Sequence, residues 1–311
     1  MQTHYDYSKF REWLLIKKYS PATVETTVRI VEYFREWATS ENIQGLEEVS
    51  YADAMGFMKW SAKYGASQKT IANYLNHVRK FYQFLITEEV VKENPVAHIK
   101  VQGIKRKIYY DILTPEELEK LYQQYPTTIE HEAGKVVPPQ ERNILARRRN
   151  KVVLSLLVHQ GLRVEEVKAL RLQDLQLREG KIIIHQQRRT AARAMQLQSS
   201  QVYELMDYIH ETRKQMLVHY GEATDRLFIN MRKGENFYSI TQGLLKILRS
   251  INNRIKNLDQ IRASVITAWL KQHDLRKVQY LAGHKYVSST EAYKANVIDE
   301  LQSDVLKFHP L

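Results

Sequence analysis

The chain contains no cysteine, and this absence excludes several kinds of chemistry. None of its 311 residues can form a disulfide, a thiolate metal site or a cysteine nucleophile. Long apolar runs are also missing: residues 152–158 are interrupted by Ser155 and fall far short of the roughly 20 residues that a membrane helix needs. The N-terminus, MQTHYDYSKF, lacks the apolar core of a signal peptide. We expect a cytoplasmic protein with no membrane partner.

Positive charge is in excess over negative charge. The sequence has 47 Lys and Arg against 35 Asp and Glu, a formal net charge of +12. A balance of this size attracts polyanions, and nucleic acid is the commonest such partner. Ribosome-associated and membrane-surface proteins share it, so charge alone does not decide the partner.

The first 91 residues have the pattern of a helical bundle. The pair Ser20-Pro21 places a capping hydroxyl before a proline at the first helical position, and apolar residues then recur at helical spacing. Two more helices begin near Ser50 and Ser67, and a leading helix spans about residues 7–16. The pattern predicts a domain of about four helices.

A basic segment, residues 92–107, follows this bundle. The pair Asn94-Pro95 ends the helical pattern. The segment has one acid, Glu93, against five basic residues, Lys92, Lys100, Lys105, Arg106 and Lys107. We expect an extended interdomain linker, which is either a solvated loop or a contact with the phosphate backbone of nucleic acid.

A second domain is predicted over residues 108–311. Thr114 and Glu117 can form a capping box at its first helix, and an apolar helix spans about residues 148–159. Two short strands, Lys181–His185 and Ala194–Gln198, flank a polar turn, and the rest is mainly helical. The expected fold class is therefore mainly α with a small β-sheet.

Three stretches of this domain carry the strongest functional pattern. Residues 159–170 read HQGLRVEEVKAL, in which Arg163 follows a Gly-Leu turn and Glu166 stands three residues on. Further along the chain, DQIRASVITAWL contains Arg262. The stretch LRKVQYLAGHKYVSSTEAY then has His284 after a glycine and Tyr293 nine residues after His284.

The joint order and spacing of these stretches resemble the tyrosine recombinase (phage integrase) family, in its compact Xer-like or mobile-element forms. The resemblance covers nearly the whole chain. It implies an N-terminal helical core-binding domain of the SAM-like kind and a mixed α/β catalytic domain. It also implies an enzyme that cuts and rejoins DNA through a 3′-phosphotyrosyl intermediate, without ATP, metal or another cofactor.

Each resembling residue then has an expected role. Tyr293 would attack the scissile phosphate; Tyr280 and Tyr286 are rivals, one inside the preceding helix and the other close to the histidine. Arg163 and Arg262 would neutralise the charge that grows on the phosphorane, because guanidiniums are permanently charged bidentate donors. His284 would add a hydrogen bond to the same phosphate. Glu166 either steadies the Arg163 guanidinium or lies on a solvated helix face.

The sequence departs from the family pattern on the turn between the two strands. The family usually carries a lysine there as the general acid for the leaving oxygen, whereas this chain has Gln187 or Arg188 at the position and Arg189 beside it. An arginine gives up a proton reluctantly. Arg188 is therefore expected to stabilise the leaving oxygen electrostatically, or else to form with Arg189 a basic hairpin that contacts the DNA backbone.

A second departure is Asp259, which occupies the usual histidine position three residues before Arg262. A carboxylate beside a phosphate is unfavourable unless it is paired or acts as a base. We expect Asp259 to orient Arg262 or to accept the proton of Tyr293. The alternative is an altered helix cap with no catalytic role.

The resemblance also implies partners. Four protomers would assemble on double-stranded DNA with inverted-repeat core sites, at the nucleoid, and the apolar tail 297–311 would dock on a neighbour or pack on its own domain. The departures favour integration, excision or transposition of a mobile element. A chromosome-dimer resolvase, a catalytically impaired DNA-binding member of the fold and a topoisomerase-like nicking enzyme or hairpin-forming resolvase are the alternatives.

Overall fold

The chain folds into two units, each of which contains its own apolar core. A computed structural model describes residues 7–103, 110–128, 141–188, 190–231 and 236–295. The units are Met1–Ile108 and Tyr109–Leu311. No helix in these described ranges is long and apolar enough to cross a membrane. The predicted backbone contacts Lys105, Arg106, Lys107 and Arg189 lie outside the described residues, as does the tail 297–311.

The first unit is the predicted helical bundle. Its helices are α1 (Ser8–Ile16), α2 (Pro21–Ser40), α3 (Tyr51–Lys63) and α4 (Gln68–Thr87). The three predicted caps are present, because the side chains of Ser20, Ser50 and Ser67 each accept a backbone N–H three residues on. Aromatic rings fill the core, with Phe34 edge-on to Phe57 at 4.8 Å.

The predicted linker does not begin as an extended segment. Val96 and Ile99 are buried in the core of the first unit. The Arg79 guanidinium donates hydrogen bonds to both of their carbonyls, at 3.0 and 3.2 Å, and the Asn94 side chain donates to the Arg79 carbonyl. The expectation of an extended chain is therefore wrong up to Ile99, because its two apolar residues reach the bundle core.

A buried histidine gives the first unit an expected pH dependence. His77 is only 8% exposed, and its Nδ1 lies 2.8 Å from Thr27 Oγ1. Burial, with a smaller contribution from the Lys80 charge, lowers the pKa of His77 to about 4. Since the unfolded chain binds this proton near pH 6.5, stability should be complete above that pH and should fall toward pH 4, by about 2 kcal/mol at pH 5.

Tryptophan fluorescence during urea unfolding measures this effect, since Trp13, Trp37 and Trp60 belong to the first unit. The variant His77→Gln should lose most of the difference between pH 7 and pH 5. The exposed His98 supplies the control, and His98→Gln should behave like the wild type. Equal pH dependence in both variants would contradict the assignment to His77.

The second unit is built around one buried helix. Its first helices are α5 (Pro115–Gln123), α6 (Glu141–His159) and α7 (Val164–Ala169). The apolar run of α6 lies within the predicted apolar helix, and it is fully buried. The helix begins at Glu141, before the expected residue 148. The prediction began too late because the first turns are polar and lack apolar residues at helical spacing. The predicted capping box of α5 is present, with Thr114 and Glu117 bonded reciprocally.

A three-stranded antiparallel sheet lies between the helices, in the order β1-β2-β3. Its strands are β1 (Leu175–Gln176), β2 (Lys181–Ile184) and β3 (Arg193–Gln196). The β2–β3 hairpin was predicted; the two-residue β1 is too short for a strand pattern. The register places Ile182 opposite Met195, both buried. The expected mainly helical fold with a small sheet is therefore confirmed.

The remaining elements complete the second unit. They are α8 (Ser199–Asp207), a π-helical turn (Tyr208–Thr212), α9 (Arg213–Tyr220), α10 (Phe237–Ile251), α11 (Leu258–Gln272), α12 (Leu275–Ala282) and α13 (Val287–Glu291). Helix α11 is buried over most of its length. It carries the second of the predicted catalytic arginines into the interior of the unit.

Candidate active site

Arg262 joins three segments of the second unit. Its side chain is buried in α11 and donates hydrogen bonds to the carbonyl of Gly161, before α7, and to the carbonyl of Ala282, at the end of α12, the latter at 2.7 Å. Gly161 has a φ of +56°, and a Cβ there would lie 3.0 Å from the Val265 side chain. The turn therefore requires glycine, both for its backbone and for its close approach to α11.

Glu166 is buried in a network of charged groups. Its carboxylate accepts two hydrogen bonds from the Arg193 guanidinium, at 2.7 and 3.0 Å, and one from the backbone N–H of Arg163 at 2.8 Å. Arg262 Nη1 lies 3.8 Å away. Burial alone would raise the pKa of Glu166, but the Arg193 hydrogen bonds and charge lower it below its ordinary value. Glu166 is thus an anion that holds Arg163 by its backbone, and its guanidinium partner is Arg193.

Arg193 is a site residue that sequence reasoning missed. It lies on β3, next but one to the buried Met195, and both point to the buried side of the strand. An arginine at a buried register position needs a partner, but the predicted strand began at Ala194, and the pairing with β2 decides which of its side chains are buried. A Cβ on Gly283 would collide with the Arg193 guanidinium. Gly283 has a φ of +65° and ends α12.

The site has more buried positive charge than negative charge. Arg193 and Arg262 are buried and Arg163 is half-buried, whereas Glu166 is the one buried carboxylate beside them. In the described part of the chain, the Nε atom of each arginine is buried without a hydrogen-bond partner. Buried guanidinium groups are costly unless an anion pairs with them. The arrangement is therefore suited to bind an anion such as a phosphate group.

His284 is buried beside this arginine cluster. Its Nε2 lies 3.3 Å from Arg262 Nη2, and its Nδ1 lies 2.9 Å from Thr290 Oγ1. A guanidinium can only donate, so Nε2 accepts and Nδ1 carries the hydrogen in this arrangement. Burial, and then the charges of Arg262, Arg163 and Arg193, lower the pKa of His284 to about 3. The imidazole is neutral at neutral pH.

Of the three candidate tyrosines, Tyr293 is the one that lies at this cluster. Its ring stacks on the His284 ring, with centroids 5.7 Å apart and planes 17° apart, and it packs against the small cluster of Ile266, Val278 and Ala282. The two rivals differ: Tyr280 is 53% exposed with its hydroxyl at the Ala194 backbone, and Tyr286 is 73% exposed.

Asp259 and Tyr110 lie at the same edge of the site. Asp259 is exposed in the first turn of α11. Burial raises the pKa of Tyr110, and the nearby negative charges of Asp259 and Tyr293 raise it further, whereas Arg163 lowers it. Tyr110 was not predicted, because it lies before α5, where the sequence has no helical or strand pattern. The described hydrogen bonds of Arg262 go to two carbonyls and to His284, so they give no support to Asp259 as the group that orients it.

The β2–β3 loop, residues 185–192, is fastened on both sides of the site. On one side the Gln187 side chain donates to the carbonyl of Glu165 in α7, at 3.1 Å. On the other side Thr190 pairs with His284 in an antiparallel bridge. Arg188 is exposed between these two anchors, and its carbonyl accepts a hydrogen bond from Lys285 Nζ at 3.0 Å.

The described part of the chain offers the arginine site no cluster of metal-ligating side chains. Among the residues that the structure describes, no group of three or more His, Asp or Glu side chains could hold a metal ion. The arginine cluster itself combines guanidiniums with the Glu166 carboxylate, the His284 imidazole and the Tyr293 phenol.

Two family models match the chain. The phage integrase family model matches residues 112–298, and the model of the phage integrase N-terminal SAM-like domain matches residues 8–89. The chain is 27% identical to the tyrosine recombinase XerC of Bacillus subtilis over 97% of its length and 95% of that protein. It is 30% identical to XerC of Anoxybacillus flavithermus over 97% of its length and 96% of that protein.

Solved structures share the fold. The XerH site-specific recombinase bound to difH substrate, in a pre-cleavage complex, has a TM-score of 0.67 at 20% identity and covers 91% of this chain and 79% of that one. A lambda integrase dimer bound to a COC′ core site has a TM-score of 0.64 at 14% identity, with 93% of both chains covered. Fold, site and sequence together define an enzyme class, the tyrosine-type DNA recombinases, which cleave and rejoin DNA. Within that class the chain belongs to the phage integrase family.

Proposed function

We propose that the chain transfers a DNA phosphodiester to Tyr293 by a metal-independent reaction at the arginine cluster. The observation that carries this proposal is the excess of buried guanidinium charge around the stacked pair of His284 and Tyr293. A scissile phosphate supplies the missing negative charge, and the negative charge that develops in the transition state strengthens the same interactions. The cluster thus both binds the phosphate and stabilises the phosphorane.

The chemistry proceeds as a reversible exchange of esters. The Tyr293 oxygen forms a bond to phosphorus while the bond from phosphorus to the 5′-oxygen breaks, which leaves a 3′-phosphotyrosyl ester and a free 5′-hydroxyl. Arg163 and Arg262 donate hydrogen bonds to the nonbridging oxygens. A neutral His284 can also donate one, in the tautomer that carries its hydrogen on Nε2 in place of the contact with Arg262. Attack of a 5′-hydroxyl from another duplex reverses the step and exchanges the strands.

Asp259 is proposed to accept the phenolic proton of Tyr293. The variant Asp259→Asn should then lower the cleavage rate at neutral pH by roughly 100-fold, a typical loss for a general base. Raising the pH should restore much of the rate, because hydroxide can remove the proton instead. Single-turnover cleavage measured from pH 6 to pH 9 gives both quantities.

The exposed Glu291 provides a control for this variant, and Glu291→Gln should cleave like the wild type. A rate for Asp259→Asn equal to that of the wild type would leave only the helix-cap role. A slow rate that high pH does not restore would point to a structural role instead.

We further propose that the chain acts as a tetramer on DNA and that it serves a mobile element. Four protomers exchange strands between two inverted-repeat core sites at the nucleoid, where Lys105, Arg106, Lys107, Arg188 and Arg189 contact the DNA backbone. A lambda integrase tetramer bound to a Holliday junction has the same fold. The departures at Asp259 and at the β2–β3 turn favour integration, excision or transposition of a mobile element. The alternative, a chromosome-dimer resolvase, is favoured by similarity to XerC proteins over nearly their whole length.

A suicide-substrate assay tests the chemical proposal. DNA sites are first selected for binding from a random duplex pool and then nicked near the expected cleavage position, so that the released fragment diffuses away. Incubation in EDTA should give a covalent protein–DNA band on a denaturing gel, and mass spectrometry of the digested band should find the nucleotide adduct on Tyr293. DNA binding without any covalent band would support the catalytically impaired alternative.

A deletion strain separates the two biological settings. Loss of a chromosome-dimer resolvase should produce filamentous cells with unsegregated nucleoids, whereas loss of a mobile-element recombinase should leave division normal and abolish excision of the element. Normal division together with unchanged excision would contradict both.

A further inference from the structure

The proposed reaction needs a proton for its leaving group, and the groups that surround the phosphate site are poor donors of one. The departing 5′-oxygen is a strongly basic alkoxide. Arg163 is a guanidinium, and an arginine gives up a proton reluctantly. Burial, and then the Arg163 charge, lower the pKa of Arg262 to about 10, but this side chain donates to the carbonyls of Gly161 and Ala282 and is assigned to the nonbridging oxygens. His284 is neutral at neutral pH, since its pKa is lowered to about 3. Arg188 is also a guanidinium and has the same limitation.

A lysine lies beside the histidine and reaches across to the β2–β3 loop. Lys285 follows His284 directly, and its Nζ donates a hydrogen bond to the Arg188 carbonyl at 3.0 Å. The loop is tied to the histidine segment by two further contacts, the bridge of Thr190 with His284 and a hydrogen bond from the Ala191 N–H to the Gly283 carbonyl at 2.9 Å. The amine is therefore held at the loop without being buried.

The position of Arg188 matters because the loop spans the site. One anchor of the loop is Glu165, two residues from Arg163, and the other is His284. Arg188 lies between these anchors along the loop, so the hydrogen bond to its carbonyl holds the Lys285 amine at the loop that connects the two segments of the cluster. The Arg188 carbonyl is an uncharged acceptor, so its hydrogen bond with the Lys285 ammonium is weaker than one to a charged oxygen. The more basic 5′-oxygen can therefore compete for the ammonium.

We infer that Lys285 is a further catalytic residue, which protonates the leaving 5′-oxygen during strand cleavage. This inference rests on the proposed function. As the bond from the Tyr293 oxygen to phosphorus forms, the tyrosine proton passes to Asp259. As the bond from phosphorus to the 5′-oxygen breaks, a proton from Lys285 Nζ passes to that oxygen, which leaves a neutral amine and a 5′-hydroxyl. In the reverse step the amine takes the proton of the attacking hydroxyl, so the charges balance over the cycle.

A lysine ammonium is suited to this role. It is a stronger acid than a guanidinium by roughly 100-fold or more, and its flexible stem lets it move from the Arg188 carbonyl to the phosphate. Two other roles are compatible with the same contact: the lysine could only fasten the loop, or it could only attract the DNA backbone. Neither of these two roles depends on the basicity of the leaving group, whereas proton donation does. Substrates with leaving groups of different basicity therefore distinguish proton donation from the other roles.

The test compares two suicide substrates that differ in one atom. One has the natural 5′-oxygen at the scissile position, and the other has a bridging 5′-sulfur, whose thiolate leaves without a proton because thiols are far more acidic than alcohols. On the oxygen substrate Lys285→Ala should cleave about 10²- to 10⁴-fold more slowly than the wild type. On the sulfur substrate the two proteins should agree within a few-fold.

Two variants complete the experiment. Lys285→Arg keeps the positive charge and the ability to bond the Arg188 carbonyl but is a poor acid, so it should also be slow on oxygen and fast on sulfur. Lys277→Ala removes an exposed lysine from α12 and should match the wild type on both substrates.

Each outcome has one meaning. Equal losses for Lys285→Ala on both substrates would show a loop-fastening or DNA-binding role and overturn the inference, and unchanged rates on both would also overturn it. If the wild type forms no covalent band on either substrate, the proposed function itself fails, which is a different result from the failure of Lys285 alone.

Discussion

Replacing Tyr293 with phenylalanine should abolish the covalent protein–DNA complex and leave DNA binding unchanged. The substitution removes only the hydroxyl that becomes the ester oxygen. It keeps the ring that stacks on His284 and packs against Ile266, Val278 and Ala282. The expected loss is the whole of the nucleophilic reaction, below detection on a denaturing gel. A gel-shift titration on the same duplex should give the wild-type dissociation constant.

The other two tyrosines near the site provide matched controls. Tyr286→Phe should form the covalent band at the wild-type rate, since this residue is largely exposed. Tyr280→Phe loses its two hydrogen bonds with the Ala194 backbone, at a cost of about 1 kcal/mol of stability, and should also retain the band. A covalent band that persists in Tyr293→Phe and disappears in one of the controls would identify the tyrosine replaced in that control as the nucleophile.

The sequence predicted the fold where local signals agree with the final packing. Helices α2, α3 and α4 begin at capping serines, and their apolar spacing fills the core. Predictions were wrong where the deciding contact is distant in the chain. The segment after Asn94 is basic and contains proline, yet it packs on the bundle. Val96 and Ile99 contact helices that lie much earlier in the sequence.

The site shows the same division between local and distant signals. Arg163, Arg262, His284 and Tyr293 stand in stretches that can be read one at a time, and the structure brings them together. The partner of Glu166 could not be read in this way, because Arg193 comes from a strand whose pairing decides which side chains are buried. Tyr110 and Lys285 precede or interrupt regular elements, so only the folded chain shows what they approach.

Removing the Glu166 carboxylate should destabilise the second unit and slow cleavage together. In Glu166→Gln the buried Arg193 loses both charge-assisted hydrogen bonds, and the cluster retains three cations without an anion. Breaking a buried ion pair by removing one partner typically costs 3–5 kcal/mol. For a unit of this size such a loss lowers the melting temperature by roughly 10 °C. Differential scanning calorimetry of the full chain measures the shift.

The neighbouring residue supplies the control for this loss. Glu165 is exposed on the same turn of α7, so Glu165→Gln should change the melting temperature by no more than about 1 °C. A melting temperature of Glu166→Gln equal to that of the wild type would contradict the buried network.

A second variant distinguishes the structural part of this effect from the catalytic part. Glu166→Gln combined with Arg193→Met removes both members of the pair, and it should recover much of the lost stability, because the uncompensated Arg193 charge is gone. Cleavage should not recover to the same extent, because the Glu166 carboxylate also accepts the Arg163 backbone N–H and lies 3.8 Å from Arg262. Stability restored without cleavage would identify the pair as the support that positions both catalytic arginines, whereas full recovery of both would reduce it to a replaceable packing contact.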